Sequence, residues 1–207
     1  MLTIVDYGMG NLASVANAFA AVGAASLVTS RPSDLASATR VVLPGVGAFG
    51  EAMRRLREGG LIEPLREAVL TRRTPFLGIC LGMQLLAERS EEHGKHEGLG
   101  WIGGAVTRLE PGDDQLRIPH VGWNVVHAAR PSVLFDGLPA EPTFYFVHSY
   151  HLLTTDPAAT VGVCQYGGDV TAAVARDHIF GTQFHPEKSQ RRGLALLRNF
   201  LAVAVPC

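Results

Sequence analysis

The chain has 207 residues, 47% of them hydrophobic and 18% charged, with 18 basic and 19 acidic side chains for a formal net charge of −1. That length fits one domain with a sizeable core, and the near-neutral balance, with no long basic run, argues against nucleic acid or an anionic membrane surface as the main partner. The three cysteines, at 80, 164 and 207, lack the short spacings of a disulfide framework or a zinc site and fit a reducing compartment.

The opening "MLTIVDYG" has neither a basic n-region nor a cleavage site, and no apolar stretch reaches membrane-spanning length. A soluble, cytoplasmic protein is expected. In chain order, "LTIVDY" reads as a strand, "NLASVANAFAAVG" as a helix closed by Gly23, and "ASLVTS" and "RVVLPG" as strands. "AFGEAMRRLREGG" and "LIEPLREAVLTR" read as helices, "TPFLGIC" as a strand and "LGMQLLAERSEE" as a helix. Strand and helix in alternation imply a parallel sheet covered on both faces. The second half offers strand candidates with short turns, "GWIGGAVTRLE", "PTFYFVHSYHL", "TVGVCQYGG", "VTAAVARD" and "IFGTQFHPE", before the amphipathic helix "QRRGLALLRNFLAVA". No repeat or composition break marks a second domain. Residues 1–207 therefore read as one α/β domain: a mainly parallel central sheet flanked by helices, with an added antiparallel β portion.

In such sheets, catalytic groups and ligands gather beyond the carboxyl ends of the strands. The first loop there, "DYGMGNLA", satisfies a dinucleotide pattern at Gly8, Gly10 and Ala13, but the next strand ends "VTSRPSD", with no acidic residue for a ribose and only Arg31 for a phosphorylated one. It serves equally as a tight turn that brings Asn11 to the edge of the sheet. The second loop, "LPGVGAFG", lets backbone amides around Gly45, Val46 and Gly47 approach a ligand closely and donate to an oxyanion. The third, "PFLGICLGMQLL", carries Cys80 between Gly78 and Gly82. G-x-C-x-G is the cysteine counterpart of the hydrolase elbow, in which small residues on either side relieve the crowding of a sharp strand-to-helix turn. A helix starting there aims its free amides at the sulfur, with Leu81 N–H as an oxyanion donor. Gln84, one helical turn on, lines the same pocket.

A thiol nucleophile needs a base that is itself held in place. Of eight histidines, His185 stands apart in "GTQFHPEKS", because extended geometry puts residues two apart on one side and Pro186 stiffens the pair. Glu187 would orient the imidazole while His185 takes the proton from Cys80.

With these motifs in hand, "DYGMGN", "LPGVGAFG", "LGICLGMQLL", "PHVGWN", "FVHSYH" and "TQFHPEKS" together, the chain resembles from end to end the class I, triad-type glutamine amidotransferases, and within them the glutaminase subunits of imidazole glycerol phosphate synthases. The resemblance implies hydrolysis of L-glutamine by Cys80, His185 and Glu187, with the amides of Val46 and Leu81 as oxyanion donors and no metal or organic cofactor. It implies glutamine contacts from Gly47, Gln84, Glu92, His148, Ser149 and Tyr150, with Glu91 or Glu97 as alternatives to Glu92. It also implies a heterodimer with a (β/α)₈ cyclase subunit, because ammonia released into neutral water is protonated and lost as a nucleophile. Asn11, Trp123, Tyr145 and Lys188 stand in segments that would face this partner; their plain alternatives are a helix cap, a core residue, a sheet residue and a solvated charge. A stand-alone thiol hydrolase would use the same triad, without a partner or the "PHVGWN" loop. Glutaminase subunits serving other biosyntheses are further alternatives.

Overall fold

A computed structural model describes residues 1–112 and 115–205. Cys207 lies outside the described residues. Fourteen strands occur among those described. The first six are β1 (Leu2–Val5), β2 (Ser26–Thr29), β3 (Arg40–Gly45), β4 (Phe76–Cys80), β5 (Arg89–Ser90) and β6 (His96–Glu97). β7 (Gly104–Arg108), β8 (His120–Val125), β9 (His127–Ala128) and β10 (Thr143–His148) follow, then β11 (Tyr150–Thr154), β12 (Thr160–Gln165), β13 (Asp169–Arg176) and β14 (Ile179–Thr182). The α-helices are α1 (Leu12–Ala21), α2 (Phe49–Glu58), α3 (Ile62–Arg66), α4 (Leu81–Gln84) and α5 (Gln190–Ala202), with a π-helical stretch, Glu67–Thr71, continuing α3.

The main sheet has eight strands in the order β2-β1-β3-β4-β14-β13-β12-β9. Its first five strands pair in parallel, and β13, β12 and β9 extend it antiparallel. Strands such as "LTIV" and "FLGIC" are buried at every position, which is what a sheet covered on both faces requires. Their side chains divide between two cores with the strand period of two: Val41 and Leu43 pack with Phe49, Leu56 and Leu65 of α2 and α3, while Val42 packs with Phe19 of α1 and Phe200 of α5. β10 and β8 form a separate two-stranded ribbon, and β11, β7, β5 and β6 a small four-stranded sheet. No helix among the described residues is long and apolar enough to cross a membrane.

Three expectations need correction. The helix expected over "LGMQLLAERSEE" is one turn long, Leu81–Gln84. The carbonyls that would propagate it are taken by a later segment: Leu85 accepts from Leu99, Leu86 from Trp101 and Ile102, Ala87 from Gly100, and Glu88 from Gly98. "PTFYFVHSYHL" is two strands in different sheets, broken at Ser149. "PHVGWN", expected as a loop, supplies strand β8, which pairs with β10 so that Trp123 faces Tyr145 and Val121 faces Val147 across the ladder.

Candidate active site

The carboxyl ends of β1, β3, β4 and β14 converge on one end of the sheet, and the site is built there. Cys80 ends β4 and caps α4 with φ 54° and ψ −109°, a backbone conformation that costs a non-glycine residue about 1–3 kcal/mol. The flanking glycines make the turn possible for two different reasons. A Cβ on Gly78 would lie 2.4 Å from the carbonyl oxygen of Gly82, because the chain folds back on itself; one on Gly82 would lie 1.7 Å from the Leu43 carbonyl oxygen of β3. The elbow is thus wedged against the strand that leads into the 45–47 loop. With α4 only one turn long, the free amides at its start matter more to the sulfur than a helix dipole does.

β14 pairs with β4 so that Thr182 lies beside Ile79, and the residues after Thr182 therefore run past Cys80. His185 is fixed by its own backbone: its N–H donates to the Tyr145 carbonyl at 2.9 Å, and its carbonyl accepts from Ser189 Oγ at 2.6 Å. "HPE" does not continue as extended chain. His185 is extended, but Pro186–Lys188 form one 3₁₀ turn, and this turn curls Glu187 back to the ring. Glu187 Oε1 lies 2.7 Å from His185 Nδ1, with the two side chains 2% and 3% exposed. The other ring nitrogen, Nε2, is buried without a well-formed hydrogen bond and is left to act with the sulfur. Burial pulls the His185 pKa down, but Cys80 and Glu187 outweigh it and push it up to about 9, so the ring carries its proton at neutral pH.

Above Cys80 opens a cavity of about 610 Å³ lined by Val46, Gly47, Leu81, Gln84, Glu92, His148, Ser149, Tyr150 and His185. Every residue expected to touch glutamine is on its wall. Glu92 is the one acidic residue of the three candidates found there. Glu91 lines a neighbouring cavity, and Glu97 sits exposed on β6. Glu92 also has a structural duty, since its Oε2 accepts the Phe49 N–H at 2.7 Å and so caps α2 just beyond the 45–47 loop. Gln84 spends both amide protons inward, on the Tyr150 carbonyl at 2.8 Å and on Gln183 Oε1 at 3.0 Å.

The wall also holds His93, Arg108, Pro119 and Val147, which sequence reasoning did not find. Gln183 was missed as well: it is fully buried and its Nε2 donates to Cys80 Sγ at 3.6 Å. Its only signal was its place two residues before His185.

Three of the four residues expected at a partner surface, Trp123, Tyr145 and Lys188, fall near one another. Trp123 is 50% exposed and meets the Tyr145 ring edge-on with centroids 6.0 Å apart, and Lys188 Nζ stands 5.9 Å from the Tyr145 centroid. Trp123 is therefore not a core residue. Asn11 accepts from the Ser14 N–H and caps α1, which packs on the 186–188 turn. After β2, Arg31 pairs with Asp34, and in the first loop the guanidinium of Arg55 fills the space beside Gly8. No group of three or more His, Cys, Asp or Glu side chains suited to a metal ion occurs among the described residues.

Residues 3–204 match the family Glutamine amidotransferase class-I, so the chain belongs to the class-I glutamine amidotransferases. The fold agrees: PurLQS from Thermotoga maritima superposes with a TM-score of 0.75 at 16% identity, over 97% of this chain and 96% of that one. Among curated proteins, the chain is 49% identical to imidazole glycerol phosphate synthase subunit HisH of Syntrophotalea carbinolica over 97% of this chain and 98% of the relative. It is 50% identical to the subunit of the same name from Sulfurimonas denitrificans, over 97% of each. Within the class, the chain belongs to the HisH family of imidazole glycerol phosphate synthase subunits.

Proposed function

We propose that this chain hydrolyses L-glutamine to glutamate and ammonia, with Cys80 as nucleophile, His185 as acid and base and Glu187 as its orienting group, and that it delivers the ammonia to a (β/α)₈ cyclase subunit in histidine biosynthesis. The observation that carries this reading is the meeting, in one cavity, of a cysteine at a positive-φ elbow with a buried His185–Glu187 pair at 2.7 Å.

The sulfur attacks the side-chain amide carbon of glutamine. The oxyanion accepts hydrogen bonds from the amides of Val46 and Leu81, and the imidazolium of His185 gives its proton to the departing nitrogen. Ammonia leaves and a glutamyl thioester remains. Water, deprotonated by the now neutral His185, adds to the thioester, and collapse of the second oxyanion releases glutamate and regenerates the thiolate–imidazolium pair. Gly47, Gln84, Glu92, His148, Ser149 and Tyr150 would hold the substrate. Glu92 and Arg108 on the wall match the opposite charges of an α-amino acid.

An apolar rim supports a partner. Val46 and Val147, 43% and 36% exposed, line the cavity, and Val121 and Trp123, 54% and 50% exposed, continue the surface along β8. Tyr145 stands against Trp123 on this surface, and Lys188 against Tyr145. The decisive assay is ammonia release from glutamine by the wild type and by Cys80→Ala, with and without a cyclase subunit. Loss in Cys80→Ala and stimulation by the cyclase support the proposal. A Cys80→Ala chain that still hydrolyses glutamine refutes the triad; full turnover of esters or peptides with no response to a cyclase favours a stand-alone thiol hydrolase.

A further inference from the structure

Building on the reading of Cys80 as nucleophile, we propose that Gln183 is a positioning residue for the sulfur: its side-chain amide, locked in one orientation by Gln84, supplies a fixed hydrogen bond that favours the thiolate and aims it into the cavity. The orientation of the two amides follows from a backbone carbonyl. Tyr150 C=O can only accept, so Gln84, 2.8 Å away, must present its NH₂ group there. The same NH₂ reaches Gln183 at 3.0 Å, which makes that atom the carbonyl oxygen of Gln183 and leaves its NH₂ to face Cys80 Sγ at 3.6 Å.

The anchor itself is held from behind. His148 Nδ1 donates to the Tyr150 carbonyl at 2.9 Å, and its Nε2 meets His120 Nδ1 at 3.0 Å. His120 Nε2 is then an acceptor for Asn124 Nδ2 at 3.3 Å, and that amide also donates to the Gln165 carbonyl at 2.9 Å. This chain runs in one direction only if both rings are neutral. Burial keeps them so, bringing the His120 pKa down to about 4 and that of His148 to about 3. The polar chain therefore begins on β8, beside Trp123, and ends at the sulfur.

Apart from the His185 ring that it serves, the sulfur could donate as a thiol to the Val147 carbonyl, and that contact is 4.0 Å long. Gln183 is closer, and a hydrogen bond to a charged acceptor is about twice as strong as one between neutral groups. Both comparisons favour sulfur as acceptor. Full burial of Gln183 and Gln84, at 0% and 5% exposure, keeps water from substituting for the amide.

The test uses the full chain and two variants. Gln183→Met removes the donor at similar volume. Gln183→Glu keeps an acceptor for Gln84 but sets a carboxylate against the sulfur, so it retains a partner for Gln84 even if the Met variant folds poorly. The pH dependence of iodoacetamide alkylation at Cys80, read by peptide mass spectrometry, is measured with the melting temperature and glutaminase kcat and KM. The alkylation midpoint should rise by about one pH unit in Gln183→Met and further in Gln183→Glu, and kcat should fall about ten- to hundredfold with KM for glutamine little changed. A packing role alone lowers the melting temperature and leaves the midpoint at the wild-type pH. Midpoints unchanged in both variants would overturn the proposal. Alkylation does not depend on turnover, so persistent glutaminase activity in Cys80→Ala would sink the functional reading while the midpoint still decides the role of Gln183.

Discussion

Glu187→Gln isolates the electrostatic part of the triad from its geometry. Glu187 Oε1 accepts from His185 Nδ1, while Oε2 is buried without a partner. A glutamine can therefore keep its carbonyl oxygen on the ring and put its NH₂ where Oε2 was. The ring stays oriented and loses its anion. His185 is held at about 9, against an ordinary value of 6.5, which is about 3 kcal/mol of preference for the imidazolium, and only Cys80 and Glu187 oppose burial. Removing a full charge 2.7 Å away, from side chains 2–3% exposed, is not screened by solvent and should lower the imidazole pKa by about one to two units. A raised pKa means that the proton is kept up to about pH 9 and lost above it, so acid catalysis of ammonia departure fails on the alkaline side. In Glu187→Gln, the alkaline limb of kcat/KM should move toward neutrality by that one to two units, with activity at pH 7 reduced less than in His185→Ala. The assay is the pH–rate profile of glutamine hydrolysis, in which kcat/KM reports the free enzyme. An alkaline limb at the wild-type pH would refute the assignment of Glu187 as the charge that holds the proton on His185.

An electrophilic glutamine analogue should attach to Cys80 and not to Cys164, whose full burial, aided by Asp169, pushes its thiol up to about 12; peptide mapping decides, and label on Cys164 counts against the elbow. His185→Ala removes both base and leaving-group acid and should cost about 10²–10⁴-fold in kcat, so near-wild-type kinetics would contradict its role. Gly82→Ala places a Cβ 1.7 Å from the Leu43 carbonyl oxygen, and because that neighbour is backbone, urea unfolding should show a loss of about 3 kcal/mol or more; unchanged stability would mean that the elbow is not wedged against β3. Trp123→Ala should weaken association with a cyclase subunit, measured by titration calorimetry, while leaving the melting temperature of the lone chain nearly unchanged, since the ring is half exposed; a large drop in melting temperature with normal binding would make it a folding residue.

The parallel half of the fold was legible because strands buried on both faces, such as β1, β3 and β4, are written as continuous apolar runs, and β1 and β3 are each followed by an amphipathic helix. The elbow was legible for a local reason: Gly78, Cys80 and Gly82 lie within five residues and form one short pattern, although the two glycines avoid different backbone neighbours. What the sequence hid was non-local. The apolar period of "LGMQLLAE" continues past Gln84, but amides from residues 98–102 claim the carbonyls that would have carried the helix on. Gly122, with φ 129°, interrupts the alternation of "HVGWNV", so β8 did not read as a strand. Glu92 could not be told from Glu91 and Glu97 in the sequence, because only the folded chain puts one of the three on the cavity wall.

Gln183 shows the same limit from the other side. Nothing in "TQFHPE" says that its amide reaches a cysteine 103 residues away; only strand register does. β3 sets Gly45 beside Cys80, and β14 sets Thr182 beside Ile79, so at the carboxyl end of the sheet Gly45, Cys80 and Gln183 come into one row across three parallel strands. Parallel pairing advances all three chains in the same direction, which is why three loops leave the sheet together at this row. A slip of one residue between β4 and β14 would turn every side chain of β14 to the opposite face. It would withdraw Gln183 from the sulfur and His185 from its place beyond it in a single step. The alternating burial of β14 between the two cores therefore fixes the geometry of the proposed triad as well as the fold, and the short α4, with little dipole of its own, leaves the sulfur dependent on the donors that this register delivers.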